Sequence, residues 1–166
     1  MNIKILFCLF VILIFPVNVS AGEYFDTGFG VILRSFHFTN SFEHKKGFNE
    51  NNLGLTLYVE DNKNIIPLID EISASYVHTN SYGSNSIYLF FHHKIFSSSN
   101  NNFRLDFSVG AATGYEKHLI IARDLGFMPL AGFRMTLFDH AEIGLLPTGV
   151  AVKEKGANVL TFSYKF

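Results

Sequence analysis

The chain has 166 residues, with thirteen Lys and Arg against fourteen Asp and Glu, and a formal net charge of -1. That balance excludes the basic footprint of a nucleic-acid-binding domain and any acidic interaction tail. Nineteen Phe and seven Tyr with only 16% charged residues exceed what one soluble core of this size needs; they suit a barrel with an apolar, aromatic-flanked outer face.

Residues 1–21 read as a secretory signal. Lys4 supplies the positive start, and Ile5 to Phe15 is an unbroken apolar run, too short to span a bilayer comfortably. Pro16 ends the run, and Val19-Ser20-Ala21 offers small residues for cleavage before Gly22. Cys8, the only cysteine, lies inside this segment, so neither lipoprotein attachment nor a disulfide is expected. The mature domain is expected over 22–166, exported to the outer membrane.

After residue 21 no stretch sustains a helical period for long. Segments of about ten residues alternate instead, separated by polar or Gly-rich breaks. Eight fall at 28–38, 49–60, 69–80, 86–96, 102–113, 127–137, 140–148 and 157–166, predicting an all-β, eight-stranded antiparallel transmembrane β-barrel. Leu53, Leu55, Leu57 and Val59 share one face of the second segment, opposite Gly54, Thr56 and Tyr58. Phe103, Leu105, Phe107 and Val109 oppose Arg104, Asp106 and Ser108 in the fifth. The first and third alternate less cleanly. The eighth ends in Phe166, as substrates of the outer-membrane barrel assembly machinery do. Closure is required because no water in a bilayer satisfies a strand edge. An even strand number puts both ends on the periplasmic side, with loops 38–48, 81–85, 114–126 and 149–156 outside and turns at 61–68, 97–101 and 138–139.

This topology sorts the inward residues by depth. Lys94, Arg104, Asp106, Arg134, Glu142 and Lys165 fall in the periplasmic half, with Arg134 facing Glu142 across the 138–139 turn. In the outer half Gly54, Gly110, Ala112, Gly132 and Gly144 leave room, while Tyr88, Phe90, Met128, Leu130, Leu146 and Val159 line it. An apolar chamber above an ion-paired floor can hold a hydrocarbon chain. Equally, an eight-stranded barrel can be filled by its own side chains. Pro129 and Pro147 are each nine residues from 138 and lack the N–H a ladder needs, so they mark either a lateral gate between strands six and seven or simply strand ends. His92 and His93 point to opposite faces, and nothing resembles a metal-binding set.

Three polar groups reach the outer rim: His37, then Asn49 and Glu50, then Asn80 and Ser81. A His that takes a Ser proton, oriented by an amide or acid, suffices for acyl transfer; a solvated rim accounts for the same residues. Here the sequence resembles the lipid A palmitoyltransferase (PagP) family. The resemblance rests on Phe36-His37-Phe38, on Phe48-Asn49-Glu50 followed by Gly54, on Asn80-Ser81, and on Leu146-Pro147-Thr148-Gly149 before the final aromatic strand. It implies a monomeric barrel that moves a palmitoyl-like chain from phospholipid to lipid A without a cofactor. His37, Asn80 and Ser81 are the implied catalytic residues, Asn80 standing where the family has Asp, with Asn49 and Glu50 beside them at the substrate. The alternative is a non-enzymatic structural or binding barrel; a lipid A deacylase of the same strand number is a third possibility, without its late-strand His-Ser signature here.

Overall fold

The computed structural model describes residues 24–38, 50–100, 102–115, 117, 120–147 and 158–166, so the expected signal segment and Asn49 lie outside the described residues. The strands are β1 (Phe25–Phe38), β2 (Gly54–Asp61), β3 (Glu71–Val77), β4 (Ser86–Ser97), β5 (Phe103–Ala112), β6 (Met128–Leu137), β7 (Ala141–Pro147) and β8 (Asn158–Lys165). Each pairs antiparallel with the next, and β8 pairs with β1, closing the barrel. A short helix, α1 (Ile120–Leu125), interrupts the β5–β6 connection. It was not expected, because one turn and a half is too short to leave a helical period in the sequence.

Polarity runs inside out. On β2, Leu55 and Leu57 are exposed while Thr56 and Tyr58 are buried; on β5, Phe107 and Val109 are exposed while Asp106 and Ser108 are buried. The period-2 alternation therefore sends apolar side chains outward and polar ones into the lumen. Phe29, Phe133 and Leu145 continue the apolar exterior around the wall.

One irregularity sets the face of the upper half of β1. Against β8 the register shifts between Ile32, opposite Ser163, and Arg34, opposite Phe162, so Leu33 is an extra residue. A β-bulge of this kind reverses which face later residues occupy. Gly30 and Ser35 are both buried although they stand five positions apart, an odd step, and Ile32, Ser35 and His37 all line the lumen. A similar shift in β4 lies between Lys94 and Phe96. Lys94 does not join the floor as expected: it is exposed, with its Nζ 3.9 Å from Asp70 outside the barrel.

The floor is a connected ion network. Arg134 reaches Asp106 at 2.6 Å, Glu142 at 3.3 Å and Glu71. Arg104 reaches Asp106 and Glu60, each at 2.7 Å, and Lys165 reaches Glu71 at 2.9 Å and Glu60 at 3.6 Å. The Tyr58 hydroxyl donates to Glu142 at 2.6 Å. Glu71, Asp106, Arg134 and Glu142 are buried, and charges so removed from water persist only when paired, as these are. Glu60 and Glu71 were not expected there; Glu71 opens β3, whose alternation is weak in the sequence.

β6 and β7 meet at a turn where Phe138 and Asp139 both have positive φ, the type I′ geometry that matches strand twist. Their register runs from Leu137↔Ala141 to Phe133↔Leu145 and, among the described residues, stops there. It centres on residue 139, not 138, so its continuation puts Pro147 opposite Ala131. Pro129 and Pro147 are therefore offset by two residues rather than facing. Met128–Gly132 still pairs with β5, and Leu146 and Pro147 with β8, so this seam lies between β6 and β7 and not on their other edges.

Candidate functional site

The bulge at Leu33 brings His37 into the mouth of the barrel, where its side chain is almost fully buried. The segment before β2 crosses beside it. The carbonyl of Glu50 accepts the Ser35 N–H at 3.0 Å, and its carboxylate accepts the His37 N–H at 3.2 Å. Glu50 is thus tied to β1 by both main chain and side chain, with Oε1 3.9 Å from His37 Nδ1. From the β3–β4 connection, Ser81 places Oγ 2.6 Å from His37 Nε2. With the imidazole proton on Nδ1, towards Glu50, Nε2 accepts the Ser81 proton. Ser81, His37 and Glu50 stand in the order that a nucleophile, a base and an acid would take, Ser81 within hydrogen-bond reach of the imidazole and Glu50 Oε1 beyond it.

Asn80 does not stand beside the imidazole as expected. It is fully buried and holds the β3–β4 turn: Oδ1 accepts the N–H groups of Tyr82 at 2.9 Å and Ser84 at 3.0 Å. Its Nδ2 donates to Ser86 Oγ at 2.7 Å and to the Gly114 carbonyl at 3.1 Å. An aspartate could not make the bond to the Gly114 carbonyl, which only accepts, and this gives a physical reason for the amide at this position. The carboxylate nearest the imidazole is Glu50, expected at the rim as a substrate contact.

Two residues that the sequence reading did not single out complete the cluster. Asn52, buried, donates from Nδ2 to Ser35 Oγ and to Ser81 Oγ, the latter at 3.4 Å. Tyr115, from the β5–β6 connection, hydrogen-bonds Ser81 and shares a 2.5 Å bond with the Tyr88 hydroxyl. Burial pushes the Tyr115 phenol well above its ordinary value, and neighbouring Tyr88 adds to this, so it remains a neutral hydrogen-bonding group. In the sequence both sit in polar, loop-like runs, and only contacts across distant strands mark them out.

Below the cluster is a cavity of about 150 Å³. Tyr88, Phe90, Met128, Leu130, Leu146 and Val159 line it. The lining is not apolar throughout, for polar residues interleave with these. Thr56 and Ser75 hydrogen-bond each other at 2.8 Å, and His92 bridges Ser73 and Ser108, each at 2.7 Å. The glycines do not all enlarge the chamber either. A Cβ on Gly110 would meet the Leu89 carbonyl and the Phe90 ring, and one on Gly132 the Leu145 carbonyl and Leu146. Their space is taken by neighbouring strands and rings, which is the crowding-relief role of strand glycines. Gly144 does line the cavity, close to Thr161.

Among the described residues no cluster of His, Cys, Asp and Glu suits a metal ion. The chain matches no protein-family model and no curated protein.

Proposed function

We propose that the protein is an outer-membrane lipid acyltransferase that moves a fatty acyl chain from a phospholipid to lipid A. The observation that carries the reading is Ser81 Oγ 2.6 Å from His37 Nε2, with Glu50 behind the imidazole, at the mouth of a one-ended cavity. The apolar exterior supports a membrane setting, since a soluble barrel would not expose Phe29, Leu55, Phe107 and Phe133 together. The blocks resembling the palmitoyltransferases supply the lipid classes, and the β6–β7 seam offers a lateral route from the outer leaflet.

In this reading His37 takes the Ser81 proton as Oγ bonds to the donor ester carbon. The carbonyl electrons move to oxygen and return as the bond to the lysophospholipid oxygen breaks, and that oxygen leaves with the proton from His37. The acyl-Ser81 ester is then attacked by a lipid A hydroxyl, whose proton passes through His37 back to Ser81. Radiolabelled phospholipid incubated with lipid A and the refolded barrel should give acyl-labelled lipid A, and Ser81→Ala and His37→Ala should not. Transfer undiminished in both variants overturns the site. The hydroxyl groups in the cavity lining favour a structural barrel as the second reading, and a wild type inert towards every lipid pair would select it.

A further inference from the structure

We infer that Asn52 is a catalytic residue of this site, its side-chain amide being the donor that stabilises the oxyanion formed when Ser81 attacks an ester. The inference rests on the acyl-transfer reading and adds a component that reading lacks. A Ser–His–acid arrangement generates the nucleophile, but the carbonyl oxygen that becomes negative needs its own preorganised donor in a water-poor place.

Asn52 meets the geometric demands of that task. It precedes β2, where its amide reaches over the upper end of β1, and it is 6% exposed, so solvent does not compete for its N–H groups. One N–H is anchored on Ser35 Oγ, two residues from His37 on the same face of the bulged strand. The amide also reaches Ser81 Oγ at 3.4 Å, long for a hydrogen bond to a resting hydroxyl. An oxyanion is two bonds from the attacking oxygen, so a donor waiting just beyond Oγ bonds more strongly after attack than before. That difference lowers the barrier rather than only holding the substrate. His37 reaches the same oxygen at 2.6 Å and takes the proton, leaving the amide to the negative charge. The bond changes are those of the first half-reaction: Oγ–C forms, the C=O π pair moves to oxygen beside Asn52, then returns as the leaving alkoxide departs.

The test uses the full barrel in detergent micelles with p-nitrophenyl octanoate as donor and water as acceptor, following p-nitrophenolate release. Asn52→Ala and the near-isosteric Asn52→Asp should each lower kcat by about 10²–10³-fold with KM within about twofold, the scale of losing one oxyanion donor. Should Asn52→Ala fail to give the compact band of a folded barrel on unheated gels, Asn52→Asp carries the comparison. A kcat within threefold of wild type, or a loss confined to KM, overturns the assignment, and if Ser81→Ala is inert at the same time the acyl-transfer reading survives it. A Ser81→Ala variant as fast as wild type, or no release by the wild type, overturns both.

Discussion

Glu50 and Asn80 divide between them what the sequence offered as one role. Glu50→Gln keeps the shape of the side chain but removes the negative charge facing Nδ1. We expect acyl transfer to fall towards the loss of about 10⁴-fold seen when a triad carboxylate becomes an amide, read as kcat in the lipid A assay. Asn80→Asp should bring no gain in rate. It would set a carboxylate against the Gly114 carbonyl and force the Ser86 hydroxyl to turn from acceptor to donor. The expected effect is a stability loss of about 1–3 kcal/mol, measured by urea unfolding. The rim placement of His37 and Ser81 was legible because each stands where an outward-running segment ends, His37 within 28–38 and Ser81 just after 69–80. The role of Glu50 was not, since it depends on which of four consecutive polar residues, Asn49 to Asn52, turns inward. That choice is made by hydrogen bonds to β1, thirteen or more residues away in the chain.

The bulge in β1 decides which face His37 occupies. Leu33 is the residue that the bulge absorbs, so removing it would restore simple alternation with Gly30, Ile32, Ser35 and His37 all on the lumen face, in the register with β8 that they already hold. The deletion variant should therefore fold and retain transfer, whereas inserting one residue after Leu33, which turns His37 to the outer face, should lose it as completely as His37→Ala. Loss of transfer in a folded deletion variant would show that the bulge does more than choose the face His37 occupies. The seam between β6 and β7 allows a parallel test. An Ala131→Cys/Pro147→Cys pair, in register by continuation of the ladder, should block transfer when oxidised and release it on reduction; unchanged transfer in the oxidised form would place lipid access elsewhere. Strand number and order were legible because period-2 alternation repeats in most strands. The weak alternation of the first strand is the imprint of the bulge itself: Phe29, Val31 and Leu33 face out, then Arg34 and Phe36, so two phases overlap. The helix α1 and the two-residue offset of the prolines depend on loop geometry that carries no period.

At the scale of the molecule, stability comes from two layers. In the outer-membrane reading the exposed apolar exterior is covered by hydrocarbon, so the chain should fold in detergent or lipid and collapse without it. The interior is held by the floor, in which three cations, Arg104, Arg134 and Lys165, meet four carboxylates, Glu60, Glu71, Asp106 and Glu142. Arg134→Ala strands Glu71, Asp106 and Glu142 without their shared partner and should cost about 3–5 kcal/mol, seen as a lower urea midpoint. A variant as stable as wild type would mean that water already reaches these groups.

The floor also governs traffic. A vessel sealed at its base connects no two compartments: whatever enters, over the rim or through the β6–β7 seam, enters above the floor and leaves above it. In the acyl-transfer reading, donor and acceptor lipids then meet at one nucleophile and cannot occupy it together. The first product has to vacate before the second substrate arrives, so turnover should alternate in ping-pong order. Each lipid in excess would then obstruct the other, and the leaflet that supplies the acyl chain is also the leaflet that receives it.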